Sequence, residues 1–177
     1  MQTIDVRDLT RSPGASRTVT VDEPVGEDLR LELATIPGDQ AVRAELLLES
    51  VVEGILASGP VSGTMTLRCS RCLKTFEQPL EVEVQELFAR GADPDGDEYP
   101  LGPEGQIDPE PMIRDALVLA MPFSPMCRPD CKGLCERCGG DRNLDECRCA
   151  PEDTDPRWAV LGAITFDDDA SEQEQER

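Results

Sequence analysis

Val61-Ser62-Gly63-Thr64-Met65-Thr66-Leu67-Arg68-Cys69-Ser70-Arg71-Cys72-Leu73-Lys74-Thr75-Phe76 carries two signals at once. Val61, Gly63, Met65 and Leu67 alternate with Ser62, Thr64, Thr66 and Arg68, the period of a strand with one buried face. The alternation stops at Cys69-Ser70-Arg71-Cys72 and resumes with Phe76 and then Leu80-Glu81-Val82-Glu83-Val84. A C-x2-C knuckle therefore stands where a hairpin turn is expected. A metal at such a tip would hold the register of both strands and offset a loop that packs poorly.

The same period spreads outward. Ile4 and Val6 open a strand before a polar loop through Pro13 and Gly14. Arg17-Thr18-Val19-Thr20-Val21 alternates until Pro24 and Gly26 break it. Leu29, Leu31 and Leu33 alternate with Arg30 and Glu32. Pro37-Gly38-Asp39 turns the chain, and Val42, Ala44, Leu46 and Leu48 alternate again. Across Val51 to Ala57 the phase shifts, which predicts a bulge or bend near Ser50. Ser58-Gly59-Pro60 reads as a turn. Joints this short leave no room for crossover helices. The expected fold class is α+β. A mainly antiparallel β-sheet or partly closed barrel spans residues 17–88, followed by one or two helices and a Cys-rich, zinc-ribbon-like module.

Residues 91–106, rich in Gly, Pro and Asp, read as a loop or linker. Asp108-Pro109-Glu110 then announces a helix over about 109–121, with a capping carboxylate, a proline in the first turn and an acid beside it. Met112, Ile113, Ala116, Leu117, Leu119 and Ala120 cover most of its surface, so it packs on the sheet, and Pro122 and Pro125 end it. Asp155-Pro156 repeats the signal, and Trp158, Val160, Leu161 and Ile164 fit a short docking helix within 151–166. The acidic tail 167–177 reads as disordered. The expected organisation is a β-rich core domain over 1–125 holding the Cys69/Cys72 knuckle, then a Cys-rich metal-binding module over 126–150, the docking helix and the tail.

All eight cysteines fall in four close pairs: Cys69/Cys72, Cys127/Cys131, Cys135/Cys138 and Cys147/Cys149. The chain has no histidine, so thiolates supply every soft ligand. Two four-cysteine sites use all eight. Zinc suits such tetrahedral sulfur sets, and iron fits the same donors. A disulfide framework needs an exported chain, and Met1-Gln2-Thr3-Ile4-Asp5 shows neither a basic nor an apolar leader region. A thioredoxin-like C-x-x-C sits at a strand-to-helix junction of a βαβ unit, a pattern missing here. Cys135/Cys138 closing with Cys147/Cys149 around the loop from Asp141 to Glu146 is the preferred grouping. It leaves Cys69/Cys72 to join Cys127/Cys131. The exchange, with Cys127 to Cys138 as one site, crowds four ligands into twelve residues and stays open. Gly133, Gly139 and Gly140 sit where a knuckle backbone needs positive φ or close approach.

Seventeen Lys and Arg face 37 Asp and Glu, a net charge of −20. Such a field repels nucleic-acid phosphates at long range and favours basic partners. Eight of the 17 basic residues lie in the cysteine regions. Around the first knuckle no acid interrupts Arg68, Arg71 and Lys74 before Glu77, so these three are candidate RNA or partner contacts. Bracing of thiolates is their other use. No apolar run is long enough for a spanning helix, and a cytoplasmic protein without a membrane partner is expected. Without histidine there is no ordinary general base near neutral pH and no Ser–His or Cys–His pair. There is no phosphate-binding glycine loop either. No catalytic residue and no small-molecule substrate are expected.

Several blocks together resemble the YceD family. They are Gly59-Pro60-Val61-Ser62-Gly63-Thr64, Leu67-Arg68-Cys69-Ser70-Arg71-Cys72-Leu73, Asp115-Ala116-Leu117-Val118-Leu119-Ala120-Met121-Pro122, Cys131-Lys132-Gly133-Leu134-Cys135 and Asp155-Pro156-Arg157-Trp158-Ala159-Val160-Leu161. The likeness implies a role in accumulation of large-subunit ribosomal RNA and in ribosome assembly. It also implies that the Cys135–Cys149 site is an accessory staple. The function expected is a non-enzymatic, zinc-binding factor supporting that accumulation. It would act through local contact with large-subunit rRNA or by holding a basic ribosomal protein. A thiol–disulfide oxidoreductase using Cys69/Cys72 and a generic zinc-stapled interaction module are the alternatives.

Overall fold

A computed structural model describes residues 1–93, 96, 98–144, 147–149, 157, 158 and 161. In chain order the elements are β1 (Ile4–Asp5), α1 (Arg7–Thr10), β2 (Ser16–Pro24), β3 (Leu29–Arg30), β4 (Ala34–Ile36), β5 (Ala41–Ser50), β6 (Gly54–Arg68), β7 (Thr75–Ala89), β8 (Tyr99–Pro100), β9 (Gln106–Ile107) and α2 (Glu110–Ala120).

The frame is the β6–β7 hairpin. Its two 15-residue strands pair in unbroken register from Gly54↔Ala89 to Arg68↔Thr75, with the cysteine knuckle at the tip. On its other edge β6 pairs with β5 and, nearer the tip, with β4. β2 and β3 extend those two strands outward. All these pairs are antiparallel, and the sheet curls into a half-barrel. The one parallel pair sets β8 beside the end of β7. β1 and β9 form a separate two-stranded ladder.

The alternation translates directly into burial. Val42, Ala44, Leu46 and Leu48 of β5 face the core with Val61, Met65 and Leu67 of β6 and with Val84 and Phe88 of β7. α2 lies against β7 and β3, and its Met112, Ile113 and Leu117 close the same core. Its start is capped as expected: the Glu110 N–H donates to Asp108 Oδ1 at 3.0 Å. Burying such side chains contributes about 1.5–3 kcal/mol each. Leu119, on the opposite side of the helix, is 83 % exposed.

Several local readings are corrected. Ser58-Gly59-Pro60 is no turn but the middle of β6. Ala44↔Val61 and Leu47↔Ser58 keep one register on either side of it. Pro60 has no N–H to donate, so the ladder lapses there without slipping. Gly59 has φ +144°, and a Cβ on it would meet the Glu45 carbonyl oxygen at 2.1 Å. Of the bulge or bend expected near Ser50, the bend is present: it is the turn of the β5–β6 hairpin, with Val51 N–H donating to Gly54 O at 3.0 Å. Leu29 to Leu33 is not one strand. β3 ends at Arg30, and Leu31 N–H bonds Ala34 O at 2.8 Å to close a tight β3–β4 hairpin. Residues 7–10, read as loop, form α1, whose Leu9 is buried. The 91–106 segment contributes β8 and the start of β9.

Of the docking helix expected over 151–166, only Arg157, Trp158 and Leu161 are described, and Trp158 and Leu161 are exposed. The rest of that helix and the acidic tail 167–177 lie outside the described residues. Among the described residues no helix is long and apolar enough to cross a membrane.

Candidate metal centre

Two groups of four sulfurs form, each with all four Sγ atoms within 4.8 Å of one another. Cys69, Cys72, Cys127 and Cys131 make the first; Cys135, Cys138, Cys147 and Cys149 make the second. The grouping of Cys69/Cys72 with Cys127/Cys131 is the one present, and the exchanged grouping is not.

The first cluster is built on the hairpin tip. Cys69 N–H donates to Lys74 O at 2.9 Å and Leu73 N–H to Cys69 O at 2.9 Å, which folds the knuckle back on itself. Leu73 closes it at φ 58°, the single non-glycine residue with positive φ among the described residues. Ser70 N–H reaches Pro125 O at 2.8 Å, and an Arg71 guanidinium N–H reaches Cys131 O at 2.9 Å. These bonds draw the segment after α2 onto the tip. Cys69 Sγ lies 3.8 Å from Cys131 Sγ, and Cys72 Sγ 3.7 Å from Cys127 Sγ. All eight cysteines are free thiols. Four sulfurs at about 2.3 Å from a tetrahedral zinc stand about 3.8 Å apart, so the residues present fit a four-thiolate metal.

The thiols titrate unequally. Burial pushes the Cys69 thiol up, but the backbone N–H groups of Cys72, Cys127 and Arg71 outweigh it and bring it down to about 6. Burial and the sulfurs of Cys72, Cys131 and Cys69 push Cys127 up to about 12. In the second cluster the N–H groups of Cys138 and Arg137 hold Cys135 down to about 6. The sulfurs of Cys138 and Cys135, with burial, push Cys149 up to about 12. Thiolates this close repel, and a divalent cation removes the conflict.

The second cluster sits on a small ribbon. Leu134 bridges Asp141, Cys135 N–H donates to Gly140 O at 2.8 Å, and Gly139 N–H returns to Cys135 O at 2.8 Å. Gly133 and Gly139 take positive φ as expected, and a Cβ on Gly133 would meet Arg71 O at 3.0 Å. Cys138 is exposed and the other three sulfurs half-buried. The ribbon meets the knuckle through Leu134 N–H to Arg71 O at 3.1 Å.

The family described as large ribosomal RNA subunit accumulation protein YceD matches residues 57–165, a span that holds both clusters. A protein of Mycobacterium tuberculosis is 39% identical over 166 residues, 90% of this chain and 79% of that protein. This chain belongs to the YceD family. YlbN of Bacillus subtilis is 29% identical over 114 residues, 63% of this chain and 66% of YlbN. An Arabidopsis thaliana protein named chloroplastic large ribosomal RNA subunit accumulation protein YCED homolog 1 is 34% identical over 59 residues. That stretch is 33% of this chain and 18% of the plant protein. No solved structure matches.

In this YceD chain the candidate contacts Arg68, Arg71 and Lys74 all lie exposed around the knuckle. Arg71 is engaged on Cys131 O, and Lys74 with Arg128 helps hold the Asp141 carboxyl below its usual range. There the Asn143 hydrogen bonds have the larger part. Asn143 is the residue that sequence reasoning missed. Its Oδ1 accepts from Lys132 N–H and from Arg128, both at 2.8 Å. Its Nδ2 donates to Asp141 Oδ1 at 2.6 Å and approaches Cys131 Sγ at 3.5 Å. It sits in the second ribbon yet braces a sulfur of the first cluster. Nothing in the pairing of cysteines points to it.

Proposed function

We propose that this chain is a metal-stapled factor, with zinc held by Cys69, Cys72, Cys127 and Cys131 and by Cys135, Cys138, Cys147 and Cys149. It supports accumulation of large-subunit ribosomal RNA by binding a partner, not by catalysis. The observation that carries the reading is the pair of four-thiol clusters, each with its sulfurs within 4.8 Å of one another, within a family named for that accumulation. Four thiolates leave a zinc no open position for water, so its contribution is to shape and stability.

A basic ribosomal protein is the favoured partner. Two of the cations at the cysteine end are committed locally: Arg71 to Cys131 O, and Arg128 to Asn143 and to Asp130 at 3.3 Å. Two zinc ions among eight thiolates also leave a negative surplus there. With −20 overall, a polycation is attracted and a phosphate backbone repelled. Cys69 is fully buried, which shields it from exchange with a partner's disulfide and argues against the oxidoreductase alternative.

Elemental analysis of the purified chain is the first test, with two zinc ions per chain expected. Ribosome gradients from cells depleted of the protein are the second, with a deficit of large-subunit RNA expected. A folded, metal-free chain, or unchanged large-subunit RNA on depletion, overturns the reading.

A further inference from the structure

The outer face of the half-barrel is left uncovered by both helices, whose buried residues join the core on the other side. On this face the middle strand β6 presents Ser58, Pro60, Ser62, Thr64 and Thr66, all small. Its neighbours stand taller. Ser58 lies between Gln85 and Leu47, and Ser62 between Glu81 and Arg43; between them Pro60 pairs with Glu83 of β7 and shares the cavity lining with Glu45 of β5. The walls are two strand spacings apart, about 10 Å. Glu45, Leu47, Ser58, Pro60, Glu83 and Gln85 line the middle of this trough, a cavity of about 600 Å³ open to solvent.

The walls carry an unbalanced charge. Arg43 pairs with Glu45 at 2.5 Å. Glu77, Glu81 and Glu83, all exposed on the same face of β7, make no ion pair among the described residues. Like charges along one strand face repel and call for a cationic neighbour.

We propose that this trough docks an extended, Lys/Arg-rich segment of a partner protein, lying along β6. The proposal rests on the reading that the chain works by holding a basic partner, and it names the surface. An extended segment advances about 3.3 Å per residue, so its alternate side chains match the spacing of Glu81 and Glu83. The small side chains of β6 give its backbone room, and Leu47, 37 % exposed, offers an apolar contact for lysine or arginine stems. A nucleic-acid strand would meet a net like charge here, Arg43 being already paired with Glu45, and so would a second copy of this face.

The test uses the full, zinc-loaded chain and a labelled synthetic peptide with lysine at every second position, read by fluorescence anisotropy. Binding that weakens as salt rises is expected. The double variant Glu81→Gln/Glu83→Gln should weaken it at least fivefold. Ser58→Trp, which fills the trough without altering charge, should do the same. Glu53→Gln/Glu104→Gln removes equal charge elsewhere and should leave binding within twofold. Equal losses in the two double variants, or full binding by Ser58→Trp, overturn the trough. So does a single-stranded RNA that binds with the same dependence on these variants, or self-association that Ser58→Trp abolishes. Variant-sensitive peptide binding together with unchanged large-subunit RNA on depletion supports the trough and overturns the ribosomal reading alone.

Discussion

The two four-cysteine clusters share a donor set and differ in what they hold together. The first has Cys69, Cys72 and Cys131 buried and joins a hairpin tip to a segment more than fifty residues away. The second has Cys138 exposed and closes a short ribbon on itself. Closing a long loop removes more chain entropy than closing a short one. With a metal bound, the same thiolate chemistry would therefore do different work: one site would tie the segment after α2 to the sheet, the other would shape a local loop. Identical ligands do not imply identical weight in folding.

The sharpest way to break this contrast is to remove one ligand from each. Structural zinc in small modules contributes on the order of 10 kcal/mol to folding. Cys131→Ser should thus destabilise the chain by about 5 kcal/mol or more, enough to abolish most of a typical stability margin. Cys138→Ser should move the main thermal transition by about 1 kcal/mol or less, while halving the bound zinc. Calorimetry with elemental analysis reads both, and equal shifts would erase the distinction between the clusters.

Acid and chelator should sharpen it. Cys69 and Cys135, at about 6, are thiolates at pH 7.5, whereas Cys127 and Cys149, at about 12, hold protons that an incoming metal must displace. Apparent affinity should then rise about tenfold per pH unit for each proton displaced. Lowering the pH should release metal, and the exposed second cluster should empty first. A dye that reports free zinc during an acid titration would show two steps, and a single step would count against separate sites.

Asn143→Ala probes the link between the clusters. It removes the bonds from the Lys132 N–H and the Arg128 guanidinium, which keeps Asp130, and the contact to Cys131 Sγ. A cost of about 1–2 kcal/mol is expected, together with closer spacing of the two metal-release steps as the first cluster loosens. Unchanged stability would mean the ribbon merely lies beside the knuckle. The smallest effect belongs to Leu73, held at φ 58° and about half exposed. Leu73→Gly relieves about 1–2 kcal/mol of left-handed strain against about 0.5–1 kcal/mol of added chain entropy. Equilibrium unfolding should show a gain of about 0.5 kcal/mol.

Most of the sheet was legible from alternation. Val42, Ala44, Leu46 and Leu48, and Val61, Met65 and Leu67, are buried as their period requires. Ser58-Gly59-Pro60 was misread because Gly and Pro mark a turn and a strand kink alike. The flanking strands β5 and β7 distinguish the two, and no local pattern reports them. Leu29, Leu31 and Leu33 show the converse: their alternation is real, but the strand ends at Arg30.

Eight cysteines in close pairs, with no histidine, already restrict the soft donors of any metal site to thiolates, because ligand chemistry and short spacing are local properties. Which distant pairs meet, how deeply each is buried, and that Asn143 braces a sulfur outside its own ribbon depend on where the β6–β7 hairpin carries its tip. That placement comes from the packing of segments far apart in the chain, and only the folded molecule decides it.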